Sequence, residues 1–140
     1  MFLDEIAAHL VAAGVGVLGT NLFLSSKAVI PPGVGPYITL TETGGMGVGG
    51  FRGEGGRTQN KTGSATVRPG AQVAVRASTY PIARTKAKAA HIVLDGVWNT
   101  TINGVRYLSI TSRQEPTDAG VDEAGRAVVV FNVDCEKEPS

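Results

Sequence analysis

The stretch that sets the fold spans residues 80–112 and reads YPIARTKAKAAHIVLDGVWNTTINGVRYLSITS. Its first half predicts a helix over residues 81–95, because Pro81 suits a first helical turn and small or apolar residues recur at three- and four-residue spacing. Its second half predicts a hairpin of residues 98–102 and 105–111, since Asn103-Gly104 between alternating apolar residues favours a turn that needs positive φ. The stretch therefore joins one helix to one antiparallel pair of strands.

The predicted helix has two contrasting faces. The apolar stripe that should meet a sheet consists of Ala83, Ala87, Ala90, Leu94 and Val97. The opposite stripe, which we expect to face water, consists of Arg84, Lys88, His91 and Asp95. Because alanines dominate the apolar stripe, the helix should be thin enough to lie close against a sheet.

Working outward from this stretch, the remaining chain supplies a second helix and more strands. Residues 2–13 predict a helix with acids in its first turn, and residues 114–125 predict a turn-rich connection. Strands are predicted at residues 21–25, 36–42, 71–77 and 126–134. We therefore expect a single α+β domain over residues 1–135, with two helices on one face of a mainly antiparallel mixed sheet and a polar tail at 136–140.

A long glycine-rich segment interrupts this pattern at residues 44–70. Eight of the thirteen residues from Gly44 to Gly56 are glycine, and basic and polar residues follow. Ordering so many glycines costs conformational entropy, and the segment holds too few apolar side chains to offset that cost. A long insertion of this kind in a compact domain is typical of a flexible, functional loop.

Charge is segregated along the chain although the net charge is only +1. From Phe51 to His91 there are eight bases and one acid, whereas from Glu115 to Ser140 there are seven acids and two bases. Such a chain can associate head to tail with its own copies. The alternative is that both regions are solvated faces that fold back near each other within one chain. The candidate interface residues are Phe51, Arg52, Arg57, Lys61 and Arg68 on the basic side and Glu115, Asp118, Asp122 and Glu123 on the acidic side.

No pattern in the sequence indicates catalysis, and we assign no catalytic, cofactor-binding or metal-binding residue. One cysteine, Cys135, forms neither an internal disulfide nor a cysteine-based zinc site, and neighbouring acids should raise its pKa. Residues 45–50 match the G-x-G-x-x-G pattern, and residues 55–62 resemble a phosphate-binding loop that ends in Lys61 and Thr62. Neither is followed by a predicted helix, whose N-terminus would receive the phosphates.

Two further classes of partner fit poorly. The basic loop has few interleaved aromatic residues, so it lacks a platform on which nucleic-acid bases could stack. The longest apolar run, near residues 7–18, is shorter than the ~20 residues that span a bilayer. Since Asp4 and Glu5 stand where a signal peptide needs positive charge, we expect a soluble intracellular protein without a membrane partner.

Several segments together resemble a known family. They are Tyr80-Pro-Ile-Ala-Arg-Thr-Lys-Ala, Leu94-Asp-Gly, Thr101-Ile-Asn-Gly-Val-Arg-Tyr-Leu-Ser-Ile, Gln114-Glu-Pro, Gly120-Val-Asp-Glu-Ala-Gly-Arg and Val128-Val-Val-Phe-Asn-Val. This set is similar to the tail-terminator or minor capsid proteins of long-tailed, siphovirus-like bacteriophages. The glycine-rich residues 47–56 depart from the pattern of that family.

The resemblance implies a small α+β subunit that assembles into a ring, usually a hexamer. Such a ring sits on the last ring of the tail tube, stops tube growth and presents a surface to the head-tail connector. DNA would pass through the lumen without specific recognition, no cofactor would be bound, and the protein would be found in the virion after assembly in the host cytoplasm. The alternatives are a head-completion or connector protein of the same virion and, less in keeping with the sequence, a nucleotide-binding enzyme.

Overall fold

The computed structural model describes residues 2–24, 35–44, 47–48, 66–122 and 125–139. Within these ranges the chain forms two helices and one nine-stranded sheet. The helices are α1 (Phe2–Ala12) and α2 (Tyr80–Leu94). The strands are β1 (Leu22–Leu24), β2 (Tyr37–Glu42), β3 (Gly47–Val48), β4 (Val67–Arg68), β5 (Gly70–Ala77), β6 (Val97–Ile102), β7 (Val105–Ser112), β8 (Thr117–Val121) and β9 (Ala127–Lys137).

The sheet is organised around β9, its longest strand. On one side β5 pairs with β9 antiparallel from Gly70 to Ala77, and β2 pairs with the far side of β5. On the other side β9 pairs with two strands, β8 along its first half and β7 along its second half. Because β1 joins β2 in parallel while the other pairs are antiparallel, the predicted mixed, mainly antiparallel sheet is confirmed.

One face of the sheet carries the core, and both helices cover it. Every second residue of β9 is buried, from Ala127 to Lys137, and the residues between them are only partly covered. Ile6 and Leu10 of α1 and the alanines of α2 pack against this buried face. The alternation places the opposite face of β9 away from the helices, as the period of two along a strand requires. The predicted α+β fold with two helices on one face is therefore confirmed.

Helix α2 follows the sequence prediction except at His91. Thr79 occupies the N-cap position with extended backbone, Pro81 lies in the first turn, and Gly96 follows the helix with φ +88°. The alanine stripe is buried as predicted. The expectation that His91 faces water is wrong, since only 8% of the residue is exposed and its ring lies edge-on to Phe131 at a centroid distance of 5.2 Å. Because the Phe131 ring is large, it reaches beyond the alanine stripe and also contacts His91.

The hairpin between β6 and β7 has the predicted turn and one irregularity that the sequence analysis did not include. Asn103 and Gly104 adopt φ values of 53° and 81°, and Ile102 pairs with Val105. Farther along β6, Asn99 also has positive φ, and opposite it the register of β7 against β9 shifts between Tyr107 and Ser109. A one-residue irregularity moves the side chains that follow it to the opposite face of the sheet. Apolar residues that lie before and after the irregularity in β6 and in β7 can therefore all face the core.

Three sequence predictions need correction. Residues 114–125 are not only turns, because β8 lies within them and pairs with β9. The last strand does not end at residue 134 but continues to Lys137, whose side chain is buried. Within the predicted glycine-rich loop, β3 and β4 pair with each other, and β4 reaches β9. Residues 45–46 and 49–65 of that loop lie outside the described residues.

Candidate functional site

The predicted interface residues divide into two groups. Phe51, Arg52, Arg57, Lys61 and Glu123 lie outside the described residues. Arg68 lies in β4, and the other three, Glu115, Asp118 and Asp122, lie in or beside β8. The structure therefore brings the described acidic candidates together along one strand at the border of the sheet.

Several members of the basic and acidic regions meet within one chain. The bases come from β4, β5 and α2, and the acids from β9 and from the two ends of β8. The ion pairs are Arg68–Glu136 at 3.8 Å, Arg76–Asp122 at 3.9 Å and Lys88–Glu115 at 3.5 Å. For these residues the alternative stated above holds, because the two regions fold back on each other. Of these, the Lys88–Glu115 pair is exposed, and an exposed pair contributes at most ~1 kcal/mol.

Asp122 stabilises the fold through contacts within its own chain. It accepts hydrogen bonds from the backbone N–H and from Nε of Arg126, each at 2.9 Å, and so closes the turn between β8 and β9. Arg76, whose guanidinium lies 5.4 Å from the centre of the Tyr37 ring, approaches the same carboxylate. We therefore assign Asp122 first to the fold and not to a contact with another molecule.

The first half of α2 carries positive charge that no acid in the described ranges neutralises. We call Ile82 and Lys86, which lie four residues apart on the same side of α2, the α2 ridge. Arg84 donates to the carbonyl oxygen of Pro116 at 2.9 Å and to the Tyr80 hydroxyl, and Lys86 donates to the carbonyl oxygen of Val15 at 2.9 Å. Among the described residues, neither Arg84 nor Lys86 has a carboxylate within 4.0 Å. Their charges are therefore held in place by neutral oxygens.

Strand β8 presents the opposite character. All five of its residues are exposed, and Val121 keeps 69% of its surface in water. Its pairing with β9 is irregular between Asp118 and Val121, where the Asp118 carboxylate accepts from the Gly120 N–H at 2.8 Å. No other strand in the described ranges pairs with the outer side of β8. We call residues 117–121 the β8 edge.

A buried ionic cluster joins the two ends of the chain, and the sequence analysis did not identify it. Glu5 of α1 accepts a hydrogen bond from the Tyr107 hydroxyl at 2.7 Å and forms an ion pair with Lys137 at 2.6 Å. Burial alone would raise the pKa of Glu5, but the hydrogen bonds from Lys137 and Tyr107 outweigh it and lower that pKa below its ordinary value of 4.5. Burial, followed by the bond to Glu5, raises the pKa of Tyr107. The only sequence signal was Lys137 itself, two residues after the apolar alternation of β9.

The thiol of Cys135 is buried and held in an unreactive state. Burial, and to a lesser degree Asp134, raises the pKa of the Cys135 thiol to about 12, so the thiol is protonated near neutral pH. The acids named in the sequence analysis do contribute, but burial is the larger cause. In the part of the chain that the structure describes, no three His, Cys, Asp or Glu side chains are grouped as a metal site. Neither helix within those ranges is long and apolar enough to cross a membrane.

Comparison with known proteins finds one family and a solved structure of similar fold. A family model described as bacteriophage tail terminator protein matches residues 9–139. A chain of the solved virion of a native gene transfer agent particle has the same fold, with a TM-score of 0.60 and 17% sequence identity over 98% of this chain and 91% of that chain. Comparison with curated proteins finds no significant match.

Proposed function

Because the chain belongs to the bacteriophage tail terminator family, we propose that it forms a ring on the end of the tail tube and stops tube growth there. The observation that carries this proposal is the match over residues 9–139, which includes almost all of the described α+β fold. Members of this family are structural virion proteins, so the place of this protein is in the virion tail. The proposal adds the ring, its role in ending the tube and its contact with the head-tail connector.

Two unlike charged surfaces support assembly into a ring. The α2 ridge bears the positive charge of Lys86, whereas the β8 edge bears the negative charge of Asp118. A contact between two different surfaces of identical subunits is heterologous, and a heterologous contact closes into a ring when its rotation permits. We propose a hexamer with the tail tube protein on one side and the connector on the other. DNA would pass through the lumen without specific recognition, no cofactor would take part, and assembly would occur in the host cytoplasm.

The glycine-rich basic segment is the second element of the proposal. We propose that residues 44–62, with Phe51, Arg52, Arg57 and Lys61, contact a neighbouring subunit or the tube and become ordered there. The proposal rests on composition, since many glycines and few apolar residues give the isolated segment little driving force for order. Arg68, which follows the segment in β4, would extend the same basic side.

Tail length is the property that tests the proposed function. Particles that lack this protein should carry tubes of uncontrolled length, and the wild-type protein should restore a single length in negative-stain micrographs. Trimming residues 44–62 to a short turn, or changing Arg57→Glu with Lys61→Glu, should leave a folded subunit that does not restore the length. The matched control, Arg57→Lys with Lys61→Arg, should restore it.

The same micrographs separate the proposal from its closest alternative. Tails of normal length that fail to join filled heads, in particles without the protein, would indicate a head-completion role and contradict a terminator role. Normal tails with the trimmed segment would leave the terminator assignment intact but would overturn the role of residues 44–62.

A further inference from the structure

We propose that the α2 ridge of one copy docks on the β8 edge of the next copy. This inference rests on the proposed ring and names the surfaces that form its repeated contact. It differs from a pairing of the whole basic region with the whole acidic region, because only some of those charges remain available. Lys86 and Asp118 are the central residues of the contact.

Charge complementarity selects these two residues. Arg68, Arg76 and Lys88 already have carboxylates of their own chain within 4.0 Å, whereas Lys86 has none among the described residues. Asp118 is exposed, and no base in the described ranges forms an ion pair with it. Opposite charges that lack partners in the isolated subunit give the contact both attraction and register.

The two residues do not meet within one chain. Arg84 and Lys88 lie on the side of α2 that adjoins the start of β8, as their contacts with Pro116 and Glu115 show. Lys86 lies on the other side, where its amino group binds the carbonyl oxygen of Val15 in the segment after α1. Among the described residues no carboxylate of the same chain lies within 4.0 Å of Lys86, so its charge is available to a carboxylate of another copy.

Apolar residues accompany the charges on both surfaces. On the ridge, Ile82 is 44% exposed. On the edge, Val121 is 69% exposed. Burying such side chains supplies the free energy that surface ion pairs alone do not.

The position of the two surfaces in the fold suits a closed assembly. Helix α2 lies on the face of the sheet, whereas β8 lies at its border. In a two-layer fold the outward direction of a helix layer and that of a sheet border are close to perpendicular. A contact between them turns each copy relative to the one before it, which is the condition for a closed ring in place of a straight stack.

A charge-reversal cycle tests the contact. Assembly of the full-length protein is followed by sedimentation velocity across protein concentration at low salt. Lys86→Glu and Asp118→Lys should each raise the concentration needed for assembly about tenfold, and the combined variant should return to within about threefold of wild type. Glu42→Lys changes an exposed acid on β2 by the same charge and should have no effect. Lys86→Arg should assemble as wild type does.

The results of this cycle distinguish the ridge-to-edge contact from the proposed ring. If the single variants assemble normally, or if the combined variant does not recover, the ridge-to-edge contact is wrong while the ring remains. If the wild-type protein forms no ring either in solution or on purified tails, the proposed function fails and the inference with it. Thermal unfolding of each variant shows whether it is folded. If Lys86→Glu is not folded, Lys86→Gln replaces it in the cycle and should weaken assembly by a smaller factor. Adding Asp118→Asn to Lys86→Gln should then cause no further loss of assembly.

Discussion

Lys137 Nζ lies 2.6 Å from Glu5 Oε1, and this ion pair joins the last strand to the first helix across 132 positions of the chain. Both side chains are almost fully buried, at 5% and 3% exposure. The ammonium group also lies 5.7 Å from the Phe2 ring centre and 5.6 Å from that of Tyr107. The pair therefore fixes the place of α1 on the sheet by a contact that tolerates little displacement.

Lys137→Met should destabilise the fold strongly, because it removes the ammonium group that forms the buried ion pair with the Glu5 carboxylate. Removing one member of a buried ion pair typically costs ~3–5 kcal/mol. Glu5→Leu combined with Lys137→Met should recover most of that loss, since no charge is then buried alone. The measurement is urea unfolding. The control is Arg106→Gln, which breaks an exposed pair with Glu138 and should cost no more than ~1 kcal/mol. Equal losses for Lys137→Met and the control would show that the buried pair is not the attachment of α1.

Acid should weaken the fold through Glu5. Its pKa is lower in the folded chain than its ordinary value of 4.5, so its contribution to stability is present above that value and disappears as pH falls through the folded pKa. Glu5→Gln should therefore be less stable than wild type at neutral pH, and the difference should shrink as the pH falls below about 4.5. Thermal unfolding of both proteins over an acid series measures this. A difference that stays constant with pH would contradict the assignment.

A β-branched substitution at Gly104, in the Asn103-Gly104 turn, should lower the free energy of unfolding through backbone strain alone. Gly104 has φ +81°, and a Cβ there would meet no atom within 4 Å. Gly104→Val should lose at least ~1 kcal/mol from strain, because β-branched residues avoid positive φ. Gly104→Asn is the matched control and should lose less, since asparagine tolerates this region. Chemical unfolding of the two variants would show equal stability only if the turn had another conformation.

The elements that could be predicted from the sequence are those whose residues lie near one another along the chain. Helix α2 and the hairpin carry their own signals in Pro81, the alanine stripe and Asn103-Gly104. Strand β2 likewise shows the predicted alternation of buried and half-buried residues. Each of these patterns reflects local backbone preference or burial on one face, which a single sequence records.

The remaining features depend on partners that are distant in sequence. Strand β8 has no alternating pattern because both of its faces are exposed, so only its pairing with β9 makes it a strand. The burial of Lys137 depends on Glu5 at the opposite end of the chain. Charge segregation along the sequence could not reveal that Asp122 already binds Arg126 in its own chain.

The two histidines provide the last prediction, because their surroundings differ although both lie on helices. His91 is buried with its ring edge-on to Phe131, whereas His9 of α1 is only half-buried. His91→Ala should lose ~1–3 kcal/mol, since it removes the aromatic contact and leaves a cavity under α2. His9→Ala should change stability by less than ~0.5 kcal/mol. Urea unfolding measures both.

Tail length separates this structural role from a chemical one. Because His91 acts through packing, His91→Phe should restore much of the lost stability without restoring any titratable group. Particles complemented with His9→Ala or with His91→Phe should carry tails of normal length in negative-stain micrographs. Failed tails with a stably folded His91→Phe protein would show that the imidazole itself is required, which packing against Phe131 does not explain.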